Sequence, residues 1–163
     1  MNTGLMNLLM LMILGIGYMF GFTKLQQRFF AKFSSPTKNQ AVLIVFVSSL
    51  IMAGINLCHV ADLTNQAVTF FIANNQLANA ITYAIGYFAG MWIFSLVLFR
   101  MSYVLVGMLT SENEDVELTK NNLELAWTHA IIIIVLAFLI APALINIAAS
   151  FIPYPKFPSA GGI

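Results

Sequence analysis

The sequence is short of charge. Lys and Arg together number 7, Asp and Glu 6, and charged residues make up 8% of the 163 positions. An ordinary soluble domain carries about 25%. A chain of this size has too much surface for its volume to hide a 60% hydrophobic composition in a water-soluble core. This deficit excludes a soluble enzyme, a disordered chain and a nucleic-acid-binding domain, and it makes lipid the solvent for most of the chain. Cysteine is scarce too. Cys58 stands alone, which excludes an internal disulfide and a cysteine zinc cluster. Met1 to Asn7 holds no Lys or Arg, and no small-residue cleavage site follows Phe22, so the first apolar run is expected to be retained and not cleaved. No nucleophile–base pair, metal-ligand cluster, phosphate loop or carboxylate dyad is legible. The acidic run Glu112, Glu114, Asp115 and Glu117 lacks the spacing of a calcium loop and reads as a solvated connection. The expectation is a non-enzyme with no cofactor and no metal.

What the sequence has is long apolar runs. A hydrocarbon core of about 30 Å needs about 20 apolar helical residues. Four segments qualify: residues 5–22, 41–61, 80–99 and 130–152, each boundary approximate. They are expected to be α-helical, because backbone in lipid must satisfy its own hydrogen bonds. Continuous apolar runs without alternation exclude a transmembrane β-barrel. The fold class is an all-α membrane protein, a single membrane domain of four transmembrane helices arranged as two similar helical hairpins. Ser35-Pro36 reads as an N-cap and first helical residue ahead of the second span, and Asn121 with Glu124 as a capping pair ahead of the fourth. Pro142 is expected to kink the fourth helix. Residues 153–163 form a Pro-rich external tail, expected to be extended, either as a docking strand or as a solvated end anchored by Tyr154 and Phe157.

The few cations set orientation. Lys24, Arg28, Lys32 and Lys38 lie in the first connection, and Arg100 and Lys120 flank the third. The second connection and the N-terminus hold none, and the tail holds Lys156 alone. The first and third connections are therefore read as cytoplasmic, with both termini outside, in a bacterial inner membrane.

The first connection carries helical periodicity. Phe22, Leu25, Phe29 and Phe33 make one stripe, and Lys24, Arg28 and Lys32 a second. Helix one is expected to continue as an amphipathic extension near the headgroups, its phenylalanines turned toward the acyl chains. The basic stripe then touches anionic lipid headgroups, or serves topology and snorkelling alone. The second connection, about His59 to Asn79, is expected to hold a short outer-surface helix. Leu63, Ala67, Phe70 and Phe71 would face lipid or a partner from it.

Thr37-Lys38-Asn39 before the second span is echoed by Thr119-Lys120-Asn121 before the fourth, which suggests a parallel repeat. This plan resembles the YjfL-type family of small four-helix bacterial inner-membrane proteins of undefined function. Lys38-Asn39-Gln40-Ala41 is similar to that family's Asn-x-Ala entry. Arg100 and the stretch ENEDVELTKNNLELA are similar to its acidic connection and the Asn before its last helix. Lys38 stands where the family commonly has glycine, and the Pro-rich tail lies outside its pattern. The resemblance brings no catalytic residues; it implies an accessory membrane protein that acts with partners.

Several positions inside the spans are candidates for function. Gly17 with Gly21, and Gly86 with Gly90, place small residues one turn apart, as helix packing in lipid favours. His59 and His129 lie on two spans that run the same way. At 1.5 Å per residue they differ by roughly 25 Å in depth, too far for one haem within one chain. His59 is read as capping the outer end near Asp62, and His129 as hydrogen-bonding at the inner interface. Arg100 either snorkels or pairs with Glu124. Asn56, Ser48, Ser49, Ser95, Thr128 and Asn146 make interhelical hydrogen bonds or line a polar path. The favoured function is a non-enzymatic subunit or scaffold of an oligomeric membrane assembly, partnered by the lipid bilayer and by copies of itself or other membrane subunits. The alternatives are a small channel or transporter subunit with an inter-subunit polar pathway, and a haem or quinone anchor.

Overall fold

The chain enters its second helix through an asparagine. The side chain of Asn39 accepts from the backbone N–H of Val42 at 3.0 Å, satisfying one of the donors a helix start leaves open. In a computed structural model, which describes residues 3–33, 39–110 and 113–152, four long helices and one short one follow in order: α1 (Thr3–Phe30), α2 (Gln40–Ala73), α3 (Leu77–Thr110), α4 (Glu114–Thr119) and α5 (Leu123–Ala149). The four long ones are each apolar and long enough to cross a membrane. No strand occurs among the described residues. Ser35, Pro36 and the tail 153–163 lie outside the described residues.

The long helices alternate in direction. Phe30 meets Phe46 and Asn7 bonds Asn65, so α1 and α2 are antiparallel. Ser102 bonds His129 while Tyr87 bonds the Ala148 carbonyl, so α3 and α5 are antiparallel too. These pairs are the two hairpins. α2 also packs on α3 and α5, so it touches every other long helix, and its buried face runs its whole length, from Ala41 to Phe71. Small residues make the close approaches: Ala41, Ala53, Ala67, Ala84, Ala126, Ala137 and Ala141 are fully buried. Small side chains let backbones come near in lipid, where burial of apolar surface drives little.

The structure corrects four expectations. The connection placed at His59 to Asn79 is helix for most of its length. α2 runs on to Ala73 and a three-residue turn, Asn74 to Gln76, leads into α3. Asn75 takes the left-handed conformation there, with φ 57°. Leu63, Ala67 and Phe71 are therefore buried between helices, and the Phe71 ring meets Tyr83 at 4.7 Å, tilted by 40°. Each of α2 and α3 has 34 residues and spans about 51 Å, well past a hydrocarbon core of about 30 Å. The added turns pair with one another and so bury what a lone surface helix would expose.

Second, the phenylalanine stripe of α1 does not face the acyl chains. Phe22 and Phe33 are buried. Phe29 meets Phe99 at 5.3 Å and Tyr103 at 5.5 Å, both edge to face, the arrangement ring quadrupoles favour. α3 extends alongside and covers the stripe. Third, the N-cap of α5 is Asn122, which accepts from Leu125 N–H at 3.2 Å. Asn121, left-handed at φ 62°, accepts instead from the Ala41 N–H at 2.9 Å, so it serves the start of α2. Asn39 and Asn121 are thus not equivalent, and the repeat is out of register by one residue. Fourth, α2 does not end near His59, which sits within the helix and caps nothing. α5 runs through Pro142 and ends at Ala149, three residues short of the expected Ile152.

Candidate functional site

α4 is a six-residue helix with Glu114, Asp115 and Glu117 in its first turn, where negative charge suits the positive end of the helix dipole. Glu114 and Leu118, one turn apart, point inward and are buried. Asp115 points out and pairs with Lys32 at 3.0 Å, and Glu117 pairs with Lys120 at 2.6 Å. Of the described acids, Glu114 alone is buried, so the reading of a wholly solvated connection fails at that residue. Two bonds seat α4 on the helix starts: Asn39 Nδ2 donates to the Leu118 carbonyl at 2.7 Å, and Asn122 Nδ2 donates to Glu117 at 3.0 Å. Glu112 lies outside the described residues.

Beneath α4 lies a buried polar cluster. Glu114 Oε1 hydrogen-bonds His129 Nδ1, and His129 Nε2 meets Ser102 Oγ at 2.8 Å. Ser102 gives its own hydrogen to the Phe99 carbonyl at 2.7 Å, so its oxygen accepts from His129 Nε2–H. One further proton lies on the bond between Nδ1 and Oε1. The imidazole is fully buried, with Tyr103 packed edge-on at 4.6 Å and Phe99 stacked at 6.0 Å. Burial holds the Glu114 carboxyl above its ordinary range, and the hydrogen bond with His129 offsets part of the rise. Glu114 Oε2 and Tyr103 Oη are buried without a partner among the described residues. The hydrogen bonds from Lys120 and Asn122 hold Glu117 below the ordinary range.

A second cluster fastens the middle of the bundle. Ser95 Oγ donates to the Met91 carbonyl at 2.9 Å and accepts from Asn56 Nδ2 at 2.8 Å, with Tyr18 Oη at 2.6 Å. The three side chains come from α1, α2 and α3. Ser48, Ser49 and Thr128 bond the backbone of their own helices. Asn146 is exposed on α5. Of the six residues expected to bond between helices or line a polar path, Asn56 and Ser95 bond each other across helices.

The two histidines do not meet. His129 has both ring nitrogens engaged with Ser102 and Glu114, and His59 is half-buried on α2. Arg100 does not pair with Glu124 among the described residues; its guanidinium sits 4.8 Å over the Phe29 ring, while Glu124 is exposed. Lys24 lies over Phe20 at 5.7 Å, Lys32 over Phe29 and Phe33, and Arg28 is exposed. Of the four glycines, Gly21 packs within the chain, 3.5 Å from Trp92 Nε1 as measured to an added Cβ. Gly17, Gly86 and Gly90 meet no other segment within 4 Å.

The sequence reading missed the Glu114–His129–Ser102 chain. The one signal for it was the i, i+4 pairing of Glu114 with Leu118, which puts an acid on the apolar face of a short helix. Compared with models of protein families, with curated proteins and with solved structures, the chain matches none. It is a multi-pass membrane protein by its four spans.

Proposed function

We propose that the chain is a non-enzymatic subunit or scaffold of an oligomeric membrane assembly, seated in a bacterial inner membrane with both termini outside the cytoplasm. One observation carries the reading. Gly86 and Gly90 form an open strip on α3, where an added Cβ would meet no other segment within 4 Å among the described residues. It borders an apolar groove of about 310 Å³ between α2, α3 and α5. Small residues one turn apart admit a second helix at short range in lipid, and none of the described helices occupies the strip.

The polar residues support the same reading. Tyr18, Asn56 and Ser95 bond one another, as do Ser102, His129 and Glu114. They act as fasteners between helices of one chain. Ser102 is buried and gives its proton to a backbone carbonyl, which is not the arrangement of an activated nucleophile beside its base. The YjfL-type resemblance implies the same kind of role.

Mass measurement of the native detergent-extracted protein tests the reading. The wild type is expected to exceed one 18.0 kDa chain plus bound detergent and lipid, and a Gly86→Leu, Gly90→Leu double variant to fall toward one chain. A monomeric wild type, or an assembly indifferent to both changes, refutes it.

A further inference from the structure

α1 and α3 diverge enough to leave a furrow between them. Its upper part, about 670 Å³, is walled by Gly17 and Gly21 on one side and by Phe88, Ala89 and Trp92 on the other. The side chains Gly17 lacks are what keep it open, since an added Cβ there would meet nothing within 4 Å. One turn further along both helices, Leu25 and Leu96 begin a second cavity of about 370 Å³, whose remaining lining includes Gln26, Arg28 and Arg100.

The character of the wall changes along this line. It is apolar for several turns and then doubly cationic. No carboxylate lines either cavity, and neither arginine makes an ion pair among the described residues. Gln26 is buried, and its Oε1 has no hydrogen-bond donor among the described residues. A helix from a second copy would bring apolar side chains toward two uncompensated guanidinium groups. A phospholipid has the matching sequence of parts: a chain of methylenes, then a phosphate. Arginine binds phosphate through paired N–H donors, and basic pockets between transmembrane helices take anionic headgroups.

We propose that this furrow holds one phospholipid with an anionic headgroup. Its acyl chain lies along Gly17, Phe88 and Ala89, and its phosphate lies between Arg28 and Arg100. Gly17 then forms a seat for an acyl chain and not a helix contact, while Gly21 packs on Trp92. The basic residues of α1 also divide in role. Arg28 binds lipid, Lys32 is held by Asp115, and Lys24 lies outside the furrow.

Trp92 lies in the furrow wall and serves as reporter. The chain has 2 tryptophans, so Trp127→Phe leaves one. This full-length protein is placed in phosphatidylcholine vesicles containing acyl-brominated phosphatidylglycerol or, at equal mole fraction, acyl-brominated phosphatidylcholine. The expected result is stronger quenching by the glycerol lipid. Arg28→Gln with Arg100→Gln should reduce that preference on the order of 30-fold in relative association, from about 1 kcal/mol per cation. Lys24→Gln should leave it unchanged. Gly17→Leu, which fills open space, should reduce quenching by both lipids while helical content stays intact. Equal quenching by the two lipids in the wild type overturns the proposal, as does a preference that survives loss of both arginines. Weak quenching by both that rises as protein is diluted in lipid also overturns it, and assigns the furrow to a second copy.

Discussion

Replacing His129 by leucine is the most informative single change. Leucine has similar bulk and fills the site, so the cavity left behind is small. The loss is electrostatic. Glu114 Oε1 and Ser102 Oγ both lose their imidazole partner, and Glu114 Oε2 has none to begin with. Leaving a buried carboxyl and a buried hydroxyl without their hydrogen-bond partner costs about 1–3 kcal/mol per group, more where the group is charged, a large share of a typical stability of about 5–15 kcal/mol. The pH dependence gives a second signature. Burial raises the Glu114 carboxyl and His129 partly offsets the rise; without the imidazole the carboxyl rises further. An acid with a raised folded pKa stabilises the fold fully below its unfolded value. That contribution is lost as pH rises through the folded value. The penalty of His129→Leu is therefore expected to be largest near about pH 7.5 and to shrink toward about pH 5. Glu114→Gln placed on top should restore part of the loss at the higher pH and abolish the recovery on acidification. Unfolding of the detergent-solubilised protein, followed by circular dichroism at both pH values, measures this. A His129→Leu protein within about 1 kcal/mol of wild type, or a penalty independent of pH, would refute the account of the buried pair.

The other predictions concern fasteners and topology. Ser95→Ala removes the acceptor for Asn56 and Tyr18 and should cost about 1–2 kcal/mol, from two interhelical bonds of about 0.6 kcal/mol each and the polar groups they leave buried; thermal midpoint is the readout. Asn39→Ala removes a helix cap and the bond to the Leu118 carbonyl and should cost about 1–2 kcal/mol, with faster proteolysis around α4. Lys32→Gln should change stability by less than about 1 kcal/mol, since its ion pair with Asp115 is about half exposed on both sides. Single cysteines at Ser35 and Asn113, in a Cys58→Ala background, should label from the cytoplasm, and those at Asn75 and Ser159 from outside. Cytoplasmic labelling of Asn75 would overturn the orientation.

Hydropathy made the spans legible, because twenty apolar residues in a row admit few other structures. Their true ends were not legible. Asp62, Asn65 and Gln66 read as a connection, yet Leu63, Ala67 and Phe71 between them keep the period of a buried helix face, and that face decides. Glu114 was misread for a different reason. Composition assigns a short acidic segment to water, and only the fold-back of α4 onto α3 and α5 gives its one inward carboxylate a histidine. Arg100 was recognised as a costly charge, but its expected acid, Glu124, lies on the exposed side of α5. Its partner is the face of Phe29, which the sequence reading had turned toward lipid.

The three-residue turn between α2 and α3 constrains how the protein is made. Two 34-residue helices are joined by Asn74 to Gln76 with no slack loop between them. In the proposed orientation this turn is the end that has to cross the bilayer. From Asn39 to Phe99 the sequence holds no Lys or Arg and one acid, Asp62, so the leading end carries almost no charge across the apolar barrier. Basic residues placed in that turn would burden the crossing itself and reduce the yield of inserted protein, even where the finished fold has room for them.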